Sequence, residues 1–165
     1  MIYNTNNNLY TFSKNKEEGG FCSNMYPASI EYRGRKWKHS EGLFQSMRFN
    51  DVEIITLINR ESNPMKSKRI AYEYMDKFVV KPYSDNDIAN MQLCISLKFT
   101  QNLDLKEKLL ATEDKIIIED VTKRLGGSSI FWGMANVVED LWIGENKLGD
   151  LLMDFRDQMN TLFEF

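Results

Sequence analysis

The C-terminal region carries one apolar stripe that constrains the fold more than any other feature of the sequence. Spacings of three and four residues separate its members, which are Leu148, Leu151, Leu152, Phe155, Met159 and Leu162. Such a stripe lies on one face of an amphipathic α-helix and has to be covered by other elements. We therefore predict a globular fold with a C-terminal helix on its core, and we expect Arg156 on the solvated face of that helix.

Helical spacing recurs in the middle of the chain. A helix is predicted to begin at Ser40, a suitable N-cap, and to continue to about Ile58 as one long helix or two short ones. Pro64 and Ser84 begin two further helical segments, and Asp104 begins a short one. These four regions predict that helix is the main secondary structure.

Strand signals are shorter and lie between the helical regions. Leu9–Phe12 is predicted to be an edge strand, Ser29–Arg33 and Arg35–Trp37 a hairpin, and Lys115–Glu119 a buried strand. The region from Leu125 to Gly144 mixes Gly, Ser, Trp and Asn without a period, which predicts mostly loop.

Composition excludes several classes of protein. The 165 residues suffice for one domain, and a formal charge of −3 gives no global basic field for nucleic acid, although a local basic pocket remains open. The longest stretch without a charged residue has 14 residues, too short for a membrane span. The start of the sequence does not resemble a signal peptide, so we expect a cytoplasmic protein. Two distant cysteines and one histidine form no metal motif, and no metal or cofactor is expected.

Two segments without charged residues, 19–30 and 125–138, are candidates for loops that line a ligand cleft. The sequence alone favours the alternative that they are partly buried connections, because loops outnumber sites. The segment Gly144–Gly149, which leads into the last helix, does not have the spacing of a phosphate loop. It is a generic anion site or an ordinary helix cap, and the sequence leaves both readings open.

Glu41 has two interpretations, because it stands in the first turn of a predicted helix. Glu is favoured there by the helix dipole alone. A rigidly held Glu beside Trp37 and Phe44 is also suited to act as a general acid. His39 is the only histidine, which does not by itself make it a catalytic base.

Ordered motifs along the chain resemble those of the YbiA-like family, also called the NADAR superfamily. The matching segments are Gly20–Pro27, Gly34–Trp37, Ser40–Glu41, Phe44–Phe49, Lys98–Asn102, Leu109–Thr112, Ile118–Glu119, Trp132–Gly133 and Gly144–Met153. The resemblance covers about residues 19–160. It implies an α+β fold, a single compact domain over residues 1–165 that is mostly helical with short strands.

The resemblance also implies hydrolysis of an N-glycosidic bond. Family activities include cleavage of phosphoribosylated pyrimidine intermediates of riboflavin biosynthesis and removal of ADP-ribose from guanine in nucleic acid. The expected partner is therefore a phosphorylated ribosyl or ADP-ribosyl compound, with ADP-ribosylated nucleic acid as a further candidate substrate. No membrane partner is expected, and the oligomeric state stays open.

Site residues follow from the motifs that match. Glu41 is the expected acid/base residue, and Arg48, seven residues later, is expected on the same helical face, where it would hold Glu41 ionised or grip a phosphate. Asp140 or Glu139 would replace an acidic residue that the family carries after Trp132–Gly133. The other candidates are Trp37 and Trp132 for stacking on the base, Phe44 beside them, Asn24 and Asn146 for ribose hydroxyls, and Lys98 for phosphate. Trp132 and Phe44 are better explained as core residues than as stacking platforms, because buried aromatic residues are common.

Three positions depart from the family pattern. Arg48 stands where family members commonly have Lys, which weakens any mechanism with a covalent lysine. Gly42 stands where His is common, and Met134 where an acidic residue is common. The alternatives to an enzyme are a non-catalytic module that binds NAD or ADP-ribose and an interaction protein on the same scaffold.

Overall fold

The computed structural model describes residues 2–4, 8–13, 17–138 and 141–162, which contain seven strands and seven α-helices. The strands are β1 (Ile2–Asn4), β2 (Leu9–Phe12), β3 (Pro27–Tyr32), β4 (Arg35–His39), β5 (Ile116–Glu119), β6 (Met134–Val138) and β7 (Leu141–Gly144). The helices are α1 (Ser40–Ser46), α2 (Val52–Arg60), α3 (Pro64–Glu73), α4 (Asp85–Gln101), α5 (Leu103–Leu110), α6 (Ser129–Trp132) and α7 (Lys147–Leu162). Helices and small separate sheets make this an α+β fold, as predicted.

The chain divides into two compact units, one of residues 24–103 and the other of residues 1–23 with 104–165. In the first unit β3 and β4 form the predicted antiparallel hairpin. Its turn residues Arg33 and Gly34 have φ values of 50° and 71°. Two left-handed residues in a row match the right-handed twist of the two strands, as a two-residue hairpin turn requires.

Caps separate the helices of the first unit. The region after Ser40 forms two short helices, α1 and α2, because Asp51 accepts hydrogen bonds from the backbone N–H groups of Glu53 and Ile54 and starts α2 anew. Ser84 caps α4 as predicted. The prediction of Ser40 as the cap of α1 is wrong, because His39 fills that position.

In the second unit β2 and β5 pair in parallel, with Leu9 beside Ile116 and Phe12 beside Glu119. Both predicted strands are confirmed, and Ile117 and Ile118 of β5 are fully buried. The strand pair supports the core of this unit.

The predicted loop between Leu125 and Gly144 is wrong. The segment contains α6, β6 and β7, and β7 pairs with β6 on one side and with β1 on the other. Ile2 lies opposite Ile143, and Met134 opposite Gly144. The pairing of β1 with β7 joins distant parts of the sequence. Strand β6 shows no alternation of buried and exposed residues, so no period of two marks it as a strand.

The predicted C-terminal helix is confirmed as α7, whose residues Leu148, Leu151, Leu152 and Phe155 are buried. The expectation of a solvated Arg156 is wrong. Arg156 is 3% exposed, and its Nη1 donates to Thr112 Oγ1 at 3.0 Å and to the Lys115 carbonyl at 2.8 Å. These acceptors satisfy the guanidinium in a buried position. No helix within the described ranges is long and apolar enough to cross a membrane.

Candidate active site

His39 starts the helix that carries Glu41. Its Nδ1 accepts a hydrogen bond from the Gly42 backbone N–H at 2.9 Å, so the ring acts as an N-cap. Burial lowers the pKa of His39, while the charge of Glu41 opposes that shift. The acceptor at Nδ1 requires a neutral ring, and the lowered pKa keeps the ring neutral. His39 is therefore placed to shape α1.

Gly42 leaves the space that this cap needs. A Cβ atom at position 42 would lie 2.9 Å from His39 Cε1, closer than real Cβ contacts. The cap therefore depends on both residues. Gly42 donates the hydrogen bond to the His39 ring, and its lack of a side chain leaves room for that ring.

The Glu41 carboxylate is buried and held on both oxygens. The residue is 4% exposed, Oε1 accepts from Gln45 Nε2 at 2.8 Å, and Oε2 accepts from Asn24 Nδ2 at 3.1 Å. The Asn24 carbonyl in turn accepts from the Glu41 backbone N–H at 3.1 Å. The structure thus brings together Glu41 and Asn24, which the sequence proposed for separate roles.

Arg48 pairs with Asp87 and not with Glu41. Helix α1 ends at Ser46, so Arg48 does not continue the helical face on which it was predicted. Its Nε and Nη2 donate to the two Asp87 oxygens at 2.8 Å each, and its Nη1 donates to Gln45 Oε1 at 3.0 Å. The expected direct contact with Glu41 is therefore wrong, and the link between the two residues runs through Gln45.

Burial alone would lower the pKa of Arg48, but the hydrogen bonds and charge of Asp87 outweigh it and raise that pKa. The guanidinium stays charged although the residue is 1% exposed. Its carbon lies 4.7 Å from the ring centroid of Phe44 and 5.4 Å from that of Phe78. Phe44, 2% exposed, thus packs against a cation in the core of its unit.

Two other candidates of this unit are buried. Trp37 lies on β4 and is 4% exposed, and among the described residues its Nε1 has no hydrogen-bond partner. Lys98 lies on α4 and is 1% exposed, with its Nζ 5.6 Å from the ring centroid of Tyr26. Stacking by Trp37 and phosphate binding by Lys98 stay predictions.

The remaining candidates belong to the other unit. Trp132 is 8% exposed at the end of α6, with its ring edge-on to Phe131 at 4.9 Å between centroids. Asn146 is fully buried before α7, and its Nδ2 donates to the Ile117 carbonyl at 2.9 Å. Their roles toward a substrate stay predictions. Asp140 and Glu139 lie outside the described residues.

The Gly144–Gly149 segment is explained by packing. A Cβ atom on Gly149 would overlap the Ile117 carbonyl oxygen and the Asn146 side chain. The Asn146 carbonyl accepts the Asp150 backbone N–H at 2.9 Å, which is the first turn of α7. Of the two readings left open by the sequence, these contacts favour the helix cap.

Sequence reasoning missed Gln45 and Asp87 as parts of the site. Gln45 stands four residues after Glu41, a spacing that places two side chains together on a helix, so a signal for it was present. Asp87 is 39 residues from Arg48 and has no local signal. Among the side chains that the structure describes, no group of three or more His, Cys, Asp or Glu could hold a metal ion.

A sequence model of the NADAR domain family matches residues 6–160. The chain belongs to this family. The match runs through both units and confirms the resemblance seen in the motifs. A solved structure with the same fold is the NMR structure of Escherichia coli YbiA, with a TM-score of 0.79, 27% sequence identity, and coverage of 96% of this chain and 90% of that one.

Two curated relatives bear on activity. N-glycosidase YbiA of Escherichia coli is 28% identical over 92% of this chain and 88% of its own length. Riboflavin biosynthesis protein VVA0006 of Vibrio vulnificus is 30% identical over 90% of this chain, which spans 38% of that protein. At the level of the family these names confirm the predicted enzyme class, a hydrolase of N-glycosyl compounds.

Proposed function

We propose that this protein is an N-glycosidase that hydrolyses the bond between a base and a phosphorylated ribose, with Glu41 as its acid/base residue. One observation supports this most directly: a carboxylate that is 4% exposed accepts one amide donor on each oxygen. A buried carboxylate fixed in this way is suited to receive a proton and return it without rearranging. The name of the Escherichia coli relative, N-glycosidase YbiA, supports the class of reaction.

The reaction exchanges the C1–N bond and one O–H bond of water for a C1–O bond and an N–H bond on the base. As the C1–N bond breaks, its electron pair leaves with the base, and positive charge develops on the ribose. A water oxygen bonds to C1, Glu41 takes a proton from that water, and the same proton passes to the nitrogen of the departing base. The negative carboxylate also stabilises the cationic sugar.

Two substrate classes share this chemistry, ribosyl pyrimidine phosphates of the riboflavin type and guanine that carries ADP-ribose. We favour the first, because the Vibrio vulnificus relative is named for riboflavin biosynthesis. Asn24, Trp37, Phe44, Lys98, Trp132 and Asn146 remain the candidate binding residues, with Asp140 as a second candidate acid/base.

The test is release of base and sugar. Purified protein would be incubated with ribosylated pyrimidine phosphates, NAD, ADP-ribose and DNA that carries ADP-ribosylated guanine, and the products identified by mass spectrometry. Glu41→Gln keeps the size of the side chain and should lower kcat by about 10²- to 10⁴-fold, the usual contribution of general acid–base catalysis.

Glu53→Gln is the matched control, because Glu53 is exposed in the first turn of α2 and should leave turnover unchanged. Equal activity of Glu41→Gln and wild type would exclude Glu41 as the acid/base residue. No release from any substrate by the wild type would exclude the proposed activity on both classes.

A non-catalytic module that binds NAD or ADP-ribose is the second candidate. One observation favours it: Arg48, at the position where the family commonly has Lys, is committed to Asp87 and Gln45. Thermal stabilisation by ADP-ribose without release of base or sugar would select this module.

A further inference from the structure

An unbroken line of hydrogen bonds joins Asp87, Arg48, Gln45 and Glu41 inside the unit of residues 24–103. We propose that Asp87, Arg48 and Gln45 form a positioning chain that fixes a hydrogen-bond donor against the Glu41 carboxylate. The inference rests on the proposed role of Glu41 as acid/base residue. It assigns functions to Gln45 and Asp87, and it makes Arg48 a positioning residue.

The orientation of the Gln45 amide is dictated by its two neighbours. Arginine has only donors, so the atom of Gln45 that faces Arg48 has to be the acceptor Oε1. The amide nitrogen then faces Glu41, where it donates to Oε1 at 2.8 Å. A flipped amide would set its N–H groups against a cation and its oxygen against a carboxylate. Charges at both ends therefore lock the amide in one orientation.

The end of the positioning chain that lies farthest from Glu41 is rigid. Asp87 is fully buried and binds Arg48 through two parallel hydrogen bonds of 2.8 Å. Asp87 Oδ2 also accepts the Tyr83 backbone N–H at 2.9 Å, at the start of α4. The guanidinium is also packed against the rings of Phe44 and Phe78. Arg48 therefore presents Nη1 to Gln45 from a fixed position.

The same contacts argue against a phosphate site at Arg48. The residue is 1% exposed, and three of its donor atoms are directed at Asp87 and Gln45. A planar fork serves all three acceptors at once, whereas a single ammonium group does not reproduce that geometry. In this protein Arg48 positions Gln45 and does not bind the substrate.

The first test does not depend on activity. The side-chain amide ¹⁵N–¹H signals of Gln45 and Asn24 would be followed by NMR as a function of pH. The chemical-shift change that is absent in Glu41→Gln is the one caused by the Glu41 carboxylate. The variant Arg48→Met/Asp87→Leu removes both charges together and leaves no unpaired buried ion.

In that double variant the pH-dependent shift change of the Gln45 amide should shrink by at least half, because the cation that fixes its oxygen is gone and the side chain can turn away from Glu41. The change at the Asn24 amide should stay. Equal pH-dependent shift changes of the Gln45 amide in wild type and double variant would overturn the proposal. If the double variant does not fold, Gln45→Met supplies the decision through the kinetic test below, and a kcat equal to that of the wild type would overturn the proposal.

The second test is kinetic. Gln45→Met should lower kcat by about tenfold with KM changed less than twofold, because a misplaced catalytic group weakens the transition state more than substrate binding. Gln101→Met, at an exposed amide, is the matched control. If the wild type proves inactive, the proposed function fails, whereas the NMR titration still decides whether the chain positions Glu41.

Discussion

The two units use their motif residues in opposite ways. In residues 24–103 the motifs place polar side chains in the core, where Glu41, Gln45 and Arg48 bond to one another and to Asp87. In the other unit the motif glycines allow backbones to touch, as Gly149 does against Ile117. Buried charge is costly unless it is paired, whereas a glycine contact serves packing alone. This difference supports the proposal that Glu41 of the first unit carries the acid/base chemistry.

Breaking the polar chain should have the largest effect on stability. Asp87→Ala leaves the guanidinium of Arg48 buried without its counterion, and the free energy of unfolding should fall by about 3–5 kcal/mol. Denaturant unfolding measures this loss. In Arg48→Met/Asp87→Leu most of the loss should be recovered, and a double variant as unstable as the single one would contradict the ion-pair explanation.

Filling the glycine contact should have the next largest effect. A methyl group in Gly149→Ala has to displace the Ile117 carbonyl or the Asn146 side chain, which should cost about 2–3 kcal/mol. Gly127→Ala, the control, meets nothing within 4 Å but has a φ of 54°, so a cost of about 1 kcal/mol is expected. Thermal unfolding would compare the two, and equal losses would show that packing is not the reason for Gly149.

The smallest effect concerns pH and the cap of α1. The pKa of His39 is lowered in the folded state from 6.5, so the unfolded chain binds the proton first. Stability supplied by the neutral ring should be lost as pH falls from about 6.5 toward the folded value. His39→Asn keeps a cap acceptor that does not titrate and should cost less than about 1 kcal/mol at pH 7.

The comparison of melting temperatures between pH 5 and 8 tests that cap. Wild type should lose more stability than His39→Asn over this range. Parallel curves would show that the His39 ring does not cap α1 through a neutral nitrogen.

Local signals account for most of the elements that could be predicted. Ser84 marked the start of α4 because its hydroxyl bonds within the next turn, and the stripe of α7 repeats every three to four residues. The strands β6 and β7 were missed because β6 has no alternation of buried and exposed residues, and because the second partner of β7 is β1, at the opposite end of the sequence. Arg156 was misjudged for the same reason, because its acceptors are more than 40 residues away.

By itself the sequence determined the family, the class of fold, the main helices and the candidacy of Glu41 and Asn24. Only the tertiary structure decided that Asp87 holds Arg48, that Gln45 connects Arg48 to Glu41, and that His39 caps α1. Periodicity and caps depend on neighbours within a few residues, so they can be read along the chain. A buried ion's partner depends on which distant segment the fold brings to it, because a buried charge is stable only where complementary donors or acceptors meet it in space.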